Sequence, residues 1–317
     1  MKFRRVGRWG LEVSVIGFGS WPAAAEDDAD AARILEHAYD AGVRFFDTAN
    51  FYQDGHREQL VGRTLSRYPR ESYVLATKVS FPIGEPPNNQ GLSRKHIVEQ
   101  CDASLRRLGV DHVDLYQCHR FEPDTPLDET CRTMDDLVRL GKIVYWGVTS
   151  WPASGVADAV SLCTQRGWAL PISDQEQYSA LYRVPEDGVF GECRKAGLGQ
   201  LAWSPLAMGV LAGRYTSAAE LPSGSRATKP EGRWMARLLN EDTVGAVNAA
   251  RALADDAGIS LAQLALVWAL ERPGMSSVVV GASSERQLSD TVKAAELTPD
   301  PGLLAEYDRL LSPVAIR

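Results

Sequence analysis

The chain has 317 residues, 44% hydrophobic and 24% charged, with a formal net charge of −7. This is the profile of a soluble globular protein with a large core, and the absence of any Lys/Arg block argues against a surface for nucleic acid or anionic lipid. Five scattered cysteines (101, 118, 131, 163 and 193) without a C-x-x-C pair argue against a disulfide framework or a thiolate zinc site, and fit reduced thiols in a cytoplasmic protein.

The N-terminus, MKFRRVGRWG, lacks the apolar stretch of a signal peptide. From there short apolar runs alternate with helical patterns. VIGFG (15–19), VRFFDTA (43–49) and YVLATK (73–78) come first, and SRKHIVEQCDASLRRL (93–108) follows with a stripe of Ile97, Cys101, Leu105 and Leu108. After HVDLYQCH (112–119), DTPLDETCRTMDDLVRL (124–140) offers Thr125 as a cap, Pro126 in the first turn and Asp128 at capping-box spacing. IVYWGVT (143–149), PISDQEQ (171–177) and GLGQLAWSP (197–205) are three more strand candidates. The stretch 206–245 exceeds an ordinary loop and reads as a functional flap. AGISLAQLALVWAL (257–270) is too short to span a bilayer and reads as a buried helix, before the last strand candidate, SSVVVGA (276–282). Five glycines, 42, 109, 141, 167 and 197, stand where helices should end before the next strand.

Eight near-continuous apolar runs joined by helices describe an α/β protein whose parallel strands are covered on both faces. The expected fold is a (β/α)8 TIM barrel, one domain over 1–317, with a short N-terminal hairpin and a long flap after strand seven. An open doubly wound sheet is the structural alternative.

In such a barrel the C-terminal strand ends open into the active site. Asp47, Lys78, His119, Thr149, Gln175 and Ser204 each fall at or near the end of an apolar run. Reducing a carbonyl needs a hydride on carbon and a proton on oxygen. A phenol, with a reference pKa of about 10, is a weak acid unless a cation stabilises its phenolate. Lys78 could do so for Tyr52 while Asp47 holds the ammonium, and a neutral His119 could orient the substrate oxygen. Taken singly, Asp47–Lys78 reads as a structural ion pair, Tyr52 as a packed ring and His119 as a solvated histidine. Together they read as one proton-delivery device.

VGRWGLEVSVIGFGSW (6–21), FFDTANFY (45–52), ATK (76–78), GLSRKHI (91–97), SLRRLGVDHVDLYQCH (104–119), YWGVTSW (145–151), WSPLAMGVLAGRY (203–215) and GASSERQL (281–288) span nearly the whole chain. Together they resemble the aldo-keto reductase superfamily, most closely the branch with the potassium-channel β-subunits and their bacterial reductase relatives. The resemblance implies a TIM barrel that uses NADPH without a Rossmann domain, and a catalytic tetrad of Asp47, Tyr52, Lys78 and His119. Channel β-subunits carry asparagine at the histidine position, so His119 leans towards a working reductase. The resemblance places Gly19, Ser20 and Trp21 near the nicotinamide, with Thr149, Gln175 and, more weakly, Ser150 on the carboxamide and Trp203 stacked on the ring. Ser204, Leu206, Gly209, Arg214, Ser225 and Arg226 match pyrophosphate- and ribose-side contacts; Ser283, Gln287, Asp290 and Thr291 match the adenosine end. Gly281 replaces the lysine that many members use for the 2′-phosphate, a replacement the channel branch shares, so the expected cofactor is NADP(H), ahead of NAD(H).

GFGSWP (17–22) lacks the third glycine of a dinucleotide fingerprint, and no P-loop, G-x-S-x-G or H-E-x-x-H appears. Five scattered histidines point to no metal. Trp21, Phe51, Tyr52, Phe81, His119, Trp151 and Met208 are expected to line the substrate mouth and favour a hydrophobic or aryl carbonyl compound. The expected partner is a small carbonyl molecule, with no nucleic acid or membrane, and with homo-oligomers possible. Two other readings stay open: a redox-sensing, nucleotide-gripping subunit with little turnover, and a reductase dedicated to one biosynthetic keto-sugar or polyketide intermediate.

Overall fold

The computed structural model describes residues 1–21, 27–218, 220–222, 225–228, 232, 235 and 237–317. An antiparallel hairpin, β1 (Phe3–Arg5) and β2 (Glu12–Ser14), opens the chain. Eight strands follow: β3 (Ile16–Gly19), β4 (Phe45–Asp47), β5 (Val74–Val79), β6 (Val113–Cys118), β7 (Ile143–Thr149), β8 (Ser173–Gln177), β9 (Gly199–Trp203) and β10 (Met275–Val280). They pair in parallel and close into a barrel, with β10 returning to β3. The fold is a (β/α)8 TIM barrel with an N-terminal hairpin, as expected, and each of the eight expected runs holds one strand.

Ten helices are described: α1 (Asp28–Asp40), α2 (His56–Leu65), α3 (Arg94–Leu108), α4 (Leu127–Arg139), α5 (Ala153–Arg166), α6 (Val189–Ala196), α7 (Glu241–Asp256), α8 (Leu261–Leu270), α9 (Glu285–Lys293) and α10 (Pro301–Leu311). In α3 the Ser93 hydroxyl caps the first turn by accepting from the His96 N–H, and Ile97, Cys101 and Leu108 are buried with Leu105 partly so. Glycines 42, 109, 141, 167 and 197 all take positive φ, the left-handed geometry that ends a helix cheaply only for glycine. One cap differs. Helix α4 starts at Leu127 without a side-chain cap, because the Thr125 hydroxyl donates instead to Glu122 (2.9 Å). Helix α8 begins at Leu261 behind a Ser260–Gln263 capping box, and all ten of its residues are buried. Among the described residues no single helix is long and apolar enough to cross a membrane.

Strand β8 departs from the expected apolar composition. Its residues are Ser173, Asp174, Gln175, Glu176 and Gln177, and the first four are buried. Successive side chains alternate between faces. Gln175 lies towards Asp47 inside the barrel, whereas Asp174 meets Cys193 of α6 outside it. Each polar face has its own neighbours, so the strand stays in the wall without apolar side chains.

The barrel interior is apolar at the end where the hairpin sits. Val6 and Val13 from the hairpin pack with Phe45, Ala76, Leu115, Ile172, Leu201 and Val279. The close fit depends on glycine: a Cβ on Gly7 (φ +59) would lie 2.2 Å from the Gly197 carbonyl oxygen. At the opposite end, residues 204–240 between β9 and α7 contain short 3-10 turns but no described strand or α-helix. This is the long segment expected after the seventh strand.

Candidate active site

Strand β4 ends at Asp47, whose register partners Gly19 and Ala76 sit on β3 and β5. Beyond it the chain turns: the Thr48 N–H donates to Ala76 O (3.0 Å) and the Asn50 N–H to Lys78 O (3.3 Å). Asn50 then donates its side-chain amide to Gln100 of α3 (3.2 Å), which anchors the loop carrying Phe51 and Tyr52. The apolar run that becomes polar at residue 47 is therefore a strand entering the barrel mouth.

Lys78 is next to last in β5 and 1% exposed. Its ammonium donates to Asp47 Oδ2 (2.5 Å) and to the Thr48 carbonyl oxygen (2.8 Å), while Gln117 Nε2 donates to Asp47 Oδ1 (3.2 Å). Burial pushes the Asp47 carboxyl up and the Lys78 ammonium down, and their mutual attraction opposes both shifts. An ammonium has three protons, so one remains after these two bonds. Lys78 Nζ lies 5.4 Å from the Tyr52 ring centroid.

The Tyr52 phenol is pushed far above its ordinary pKa, first by burial around the hydroxyl and then by the Asp47 charge. The cation that counters this is Arg120, which the sequence reading did not include. The phenol thus holds its proton at neutral pH rather than resting as a phenolate beside Lys78. His119 follows β6, with its backbone N–H on Val79 O (2.8 Å). Burial, then Lys78 and Arg120, push its imidazole well below the usual range, so it is neutral at pH 7. The His119 and Tyr52 rings are 6.1 Å apart.

Several buried polar atoms on and beside these strand ends have no hydrogen-bond partner among the described residues: Thr149 Oγ1, Gln175 Nε2, His119 Nδ1 and Trp203 Nε1, as does Ser225 Oγ in the segment after β9. Such groups are costly to bury unpaired. Thr149 ends β7 in register with Gln175 on β8, so a hydroxyl and an amide lie side by side on the inner wall. That is a donor set suited to a planar carboxamide. The Gln175 amide lies close enough to Asp47 to favour its charge, yet makes no hydrogen bond of good geometry.

The remaining expected residues divide into groups. Gly19 ends β3; Ser20 donates its N–H to Asp47 O (2.9 Å) and its hydroxyl to Thr48 Oγ1 (2.8 Å). Trp21 is 40% exposed, edge-on to Tyr52 at 4.8 Å. Phe51 and Phe81 pack on each other (4.4 Å) and on His119 (5.3 and 4.9 Å). Trp151, expected on this rim, is instead 2% exposed, because its ring packs against Phe121 (5.1 Å). Ser150, Ser204, Ala207 and Met208 take positive φ, as does Gly209. Non-glycine residues rarely accept that conformation, and runs of it turn backbone N–H groups towards one side. Leu206, at φ −96, lies between Ser204 and Ala207.

Arg214 is exposed, Ser225 is buried, and Arg226 starts a 3-10 turn, its side chain lying outside the described residues. Gly281 follows β10 and is exposed. Ser283 donates its N–H and its hydroxyl to Gln287 Oε1 (2.8 and 2.9 Å). Both Asp290 carboxylate oxygens accept from α8 and its cap, from Ser260 (2.8 Å) and Gln263 (2.7 Å). Thr291 donates to Gln287 O (2.8 Å). These four residues tie α9 together and to α8. Gln117, Thr48 and Arg120 complete the mouth. Gln117 was legible, since it sits two residues before His119 on the same strand face.

A family model for the aldo/keto reductase family matches residues 15–311. Among curated proteins, a probable voltage-gated potassium channel subunit beta of Oryza sativa subsp. japonica is 37% identical over 305 residues, covering 94% of this chain and 92% of its own. One of Arabidopsis thaliana has the same identity and coverage. A putative one of Schizosaccharomyces pombe is 35% identical over 324 residues, covering 98% and 93%. The chain belongs to the aldo/keto reductase family.

Proposed function

We propose that the protein is an NADPH-dependent reductase of aldehydes or ketones. The observation that carries this reading is the convergence at one mouth of a buried Asp47–Lys78 pair, a protonated Tyr52 and a neutral His119. Thr149, Gln175 and Trp203 suit the nicotinamide end, with their unpartnered buried atoms fitting the carboxamide and its surroundings. Ser204, Leu206, Gly209, Arg214, Ser225 and Arg226 would hold the pyrophosphate and ribose, and Ser283, Gln287, Asp290 and Thr291 the adenosine. When bound, NADPH supplies the hydride.

The protein's part is the proton. His119 and Tyr52 hold the carbonyl oxygen, and Tyr52 gives up its proton as negative charge develops there. Lys78 has one proton free to bond the oxygen that Tyr52 leaves behind. Asp47, fixed by Gln117, keeps Lys78 aimed. The high resting pKa of Tyr52 suits an acid that must not ionise before substrate arrives. The rings of Phe51, Phe81 and Trp21 keep water from the reacting oxygen.

The test is NADPH absorbance over a panel of aldehydes and ketones, with Tyr52→Phe beside the wild type. The expected result is turnover that the variant loses by about 10²- to 10⁴-fold, with cofactor affinity kept. An equally active variant would remove the phenol from this role. The names of the relatives raise a second reading, a nucleotide-holding subunit of an assembly. Tight NADPH binding without turnover on any carbonyl would select it.

A further inference from the structure

Arg120 follows His119 directly, yet its neighbours do not neutralise it. Its Cζ lies 5.3 Å from the Phe81 ring centroid, and Nη1 donates to the His119 carbonyl oxygen (2.7 Å). No described carboxylate lies within ion-pair distance of it. A guanidinium has five N–H donors, so most of this fork is unspent. The same Phe81 ring packs edge-on to His119 at 4.9 Å. His119 and Arg120 therefore flank one aromatic ring.

Resting on the reductase reading for the identity of the reacting group, we propose that Arg120 selects carbonyl substrates with a carboxylate about one aromatic ring away from the reacting carbon. A flat substrate lying along Phe81, its carbonyl oxygen at Tyr52 and His119, brings its far end to the guanidinium. The charges at the mouth favour an anion there. Asp47 and Lys78 neutralise each other, and His119 is uncharged. Glu176, the acid whose field reaches Arg120, is pushed up to about 10 by burial and stays protonated at neutral pH. A half-buried cation without a counter-ion is costly, and a carboxylate matches its fork with two parallel hydrogen bonds. Lysine at this place would keep the charge but not the fork.

The test compares 4-carboxybenzaldehyde with methyl 4-formylbenzoate, which share ring and aldehyde and differ in charge, on the full chain with NADPH. The wild type should prefer the acid in kcat/KM by at least about tenfold. Arg120→Met should remove that preference, lowering kcat/KM for the acid at least about tenfold more than for the ester and chiefly through KM, and Arg120→Lys should restore part of it. Calorimetric binding of terephthalate to the protein without cofactor reads the same contact without turnover, and Arg120→Met should weaken it at least about tenfold. Equal losses on acid and ester, no preference in the wild type, or terephthalate binding indifferent to Arg120 would each overturn the proposal. If neither aldehyde is reduced while terephthalate binding still depends on Arg120, the reductase reading fails and the anion site stands.

Discussion

A buried acid on the inner face of the barrel wall and a buried acidic pair on its outer face show two ways of keeping a carboxyl out of water. On the inner face Asp47 meets a cation at 2.5 Å and an amide at 3.2 Å, and its charge is held by partners. On the outer face Asp174 and Glu176 lie two residues apart on β8, with Cys193 3.6 Å from Asp174 and, among the described residues, no cation within ion-pair distance. Burial pushes Asp174 up to about 7 and Glu176 up to about 10, so that pair is held by a proton. A charge kept by partners can organise a reaction; a charge removed by protonation only fills space. On the proposed mechanism, the difference puts the chemistry on the inner face.

The comparison breaks most sharply at Lys78. Lys78→Met leaves Asp47 buried without its counter-ion, and should cost about 3–5 kcal/mol of stability, read as a lower midpoint in urea. On the proposed mechanism it should also lower kcat by about 10²-fold or more, read from NADPH consumption. Loss of stability with activity intact would make the pair structural.

Next in size is the outer pair. The folded pKa of Glu176 lies above that of an unfolded glutamate, so its contribution is present in acid and lost as pH rises towards about 10. Glu176→Gln should therefore gain on the wild type as pH rises above neutrality, by about 1.4 kcal/mol per unit at most. Urea midpoints at pH 6, 7 and 8 would show this, and parallel curves would mean the carboxyl is not protonated in the fold.

The smallest effect is expected at His119, whose folded pKa is depressed. Here the sign reverses. The unfolded imidazole takes up a proton below about 6.5 while the folded one does not, so stability falls as pH drops below that value. His119→Asn should flatten this acid-side slope by about one proton, measured from urea midpoints between pH 5 and 7.

How much of this was legible in the sequence depended on whether position alone sets a residue's role. Seven of the strands were legible because parallel strands covered on both faces need unbroken apolar runs, whereas β8 is wholly polar, and the helix ends because five glycines stood at left-handed positions. Asp47, Lys78 and His119 were legible because strand ends face the mouth. The Thr125 cap was not, since its competitor Glu122 becomes a neighbour only through the loop's path. Trp151 follows a strand end as Trp21 does, yet one ring packs inward and the other stays exposed, a choice made by Phe121 and not by spacing. Arg120 was passed over because an arginine after a histidine reads as surface charge until Phe81 is seen beneath it.

The hairpin beneath the barrel has a consequence for traffic. Among the described residues Val6 and Val13 plug the far end, which leaves the strand-end mouth as the way in. Whatever settles deepest must arrive first and depart last, so two guests sharing this chamber would be obliged to queue.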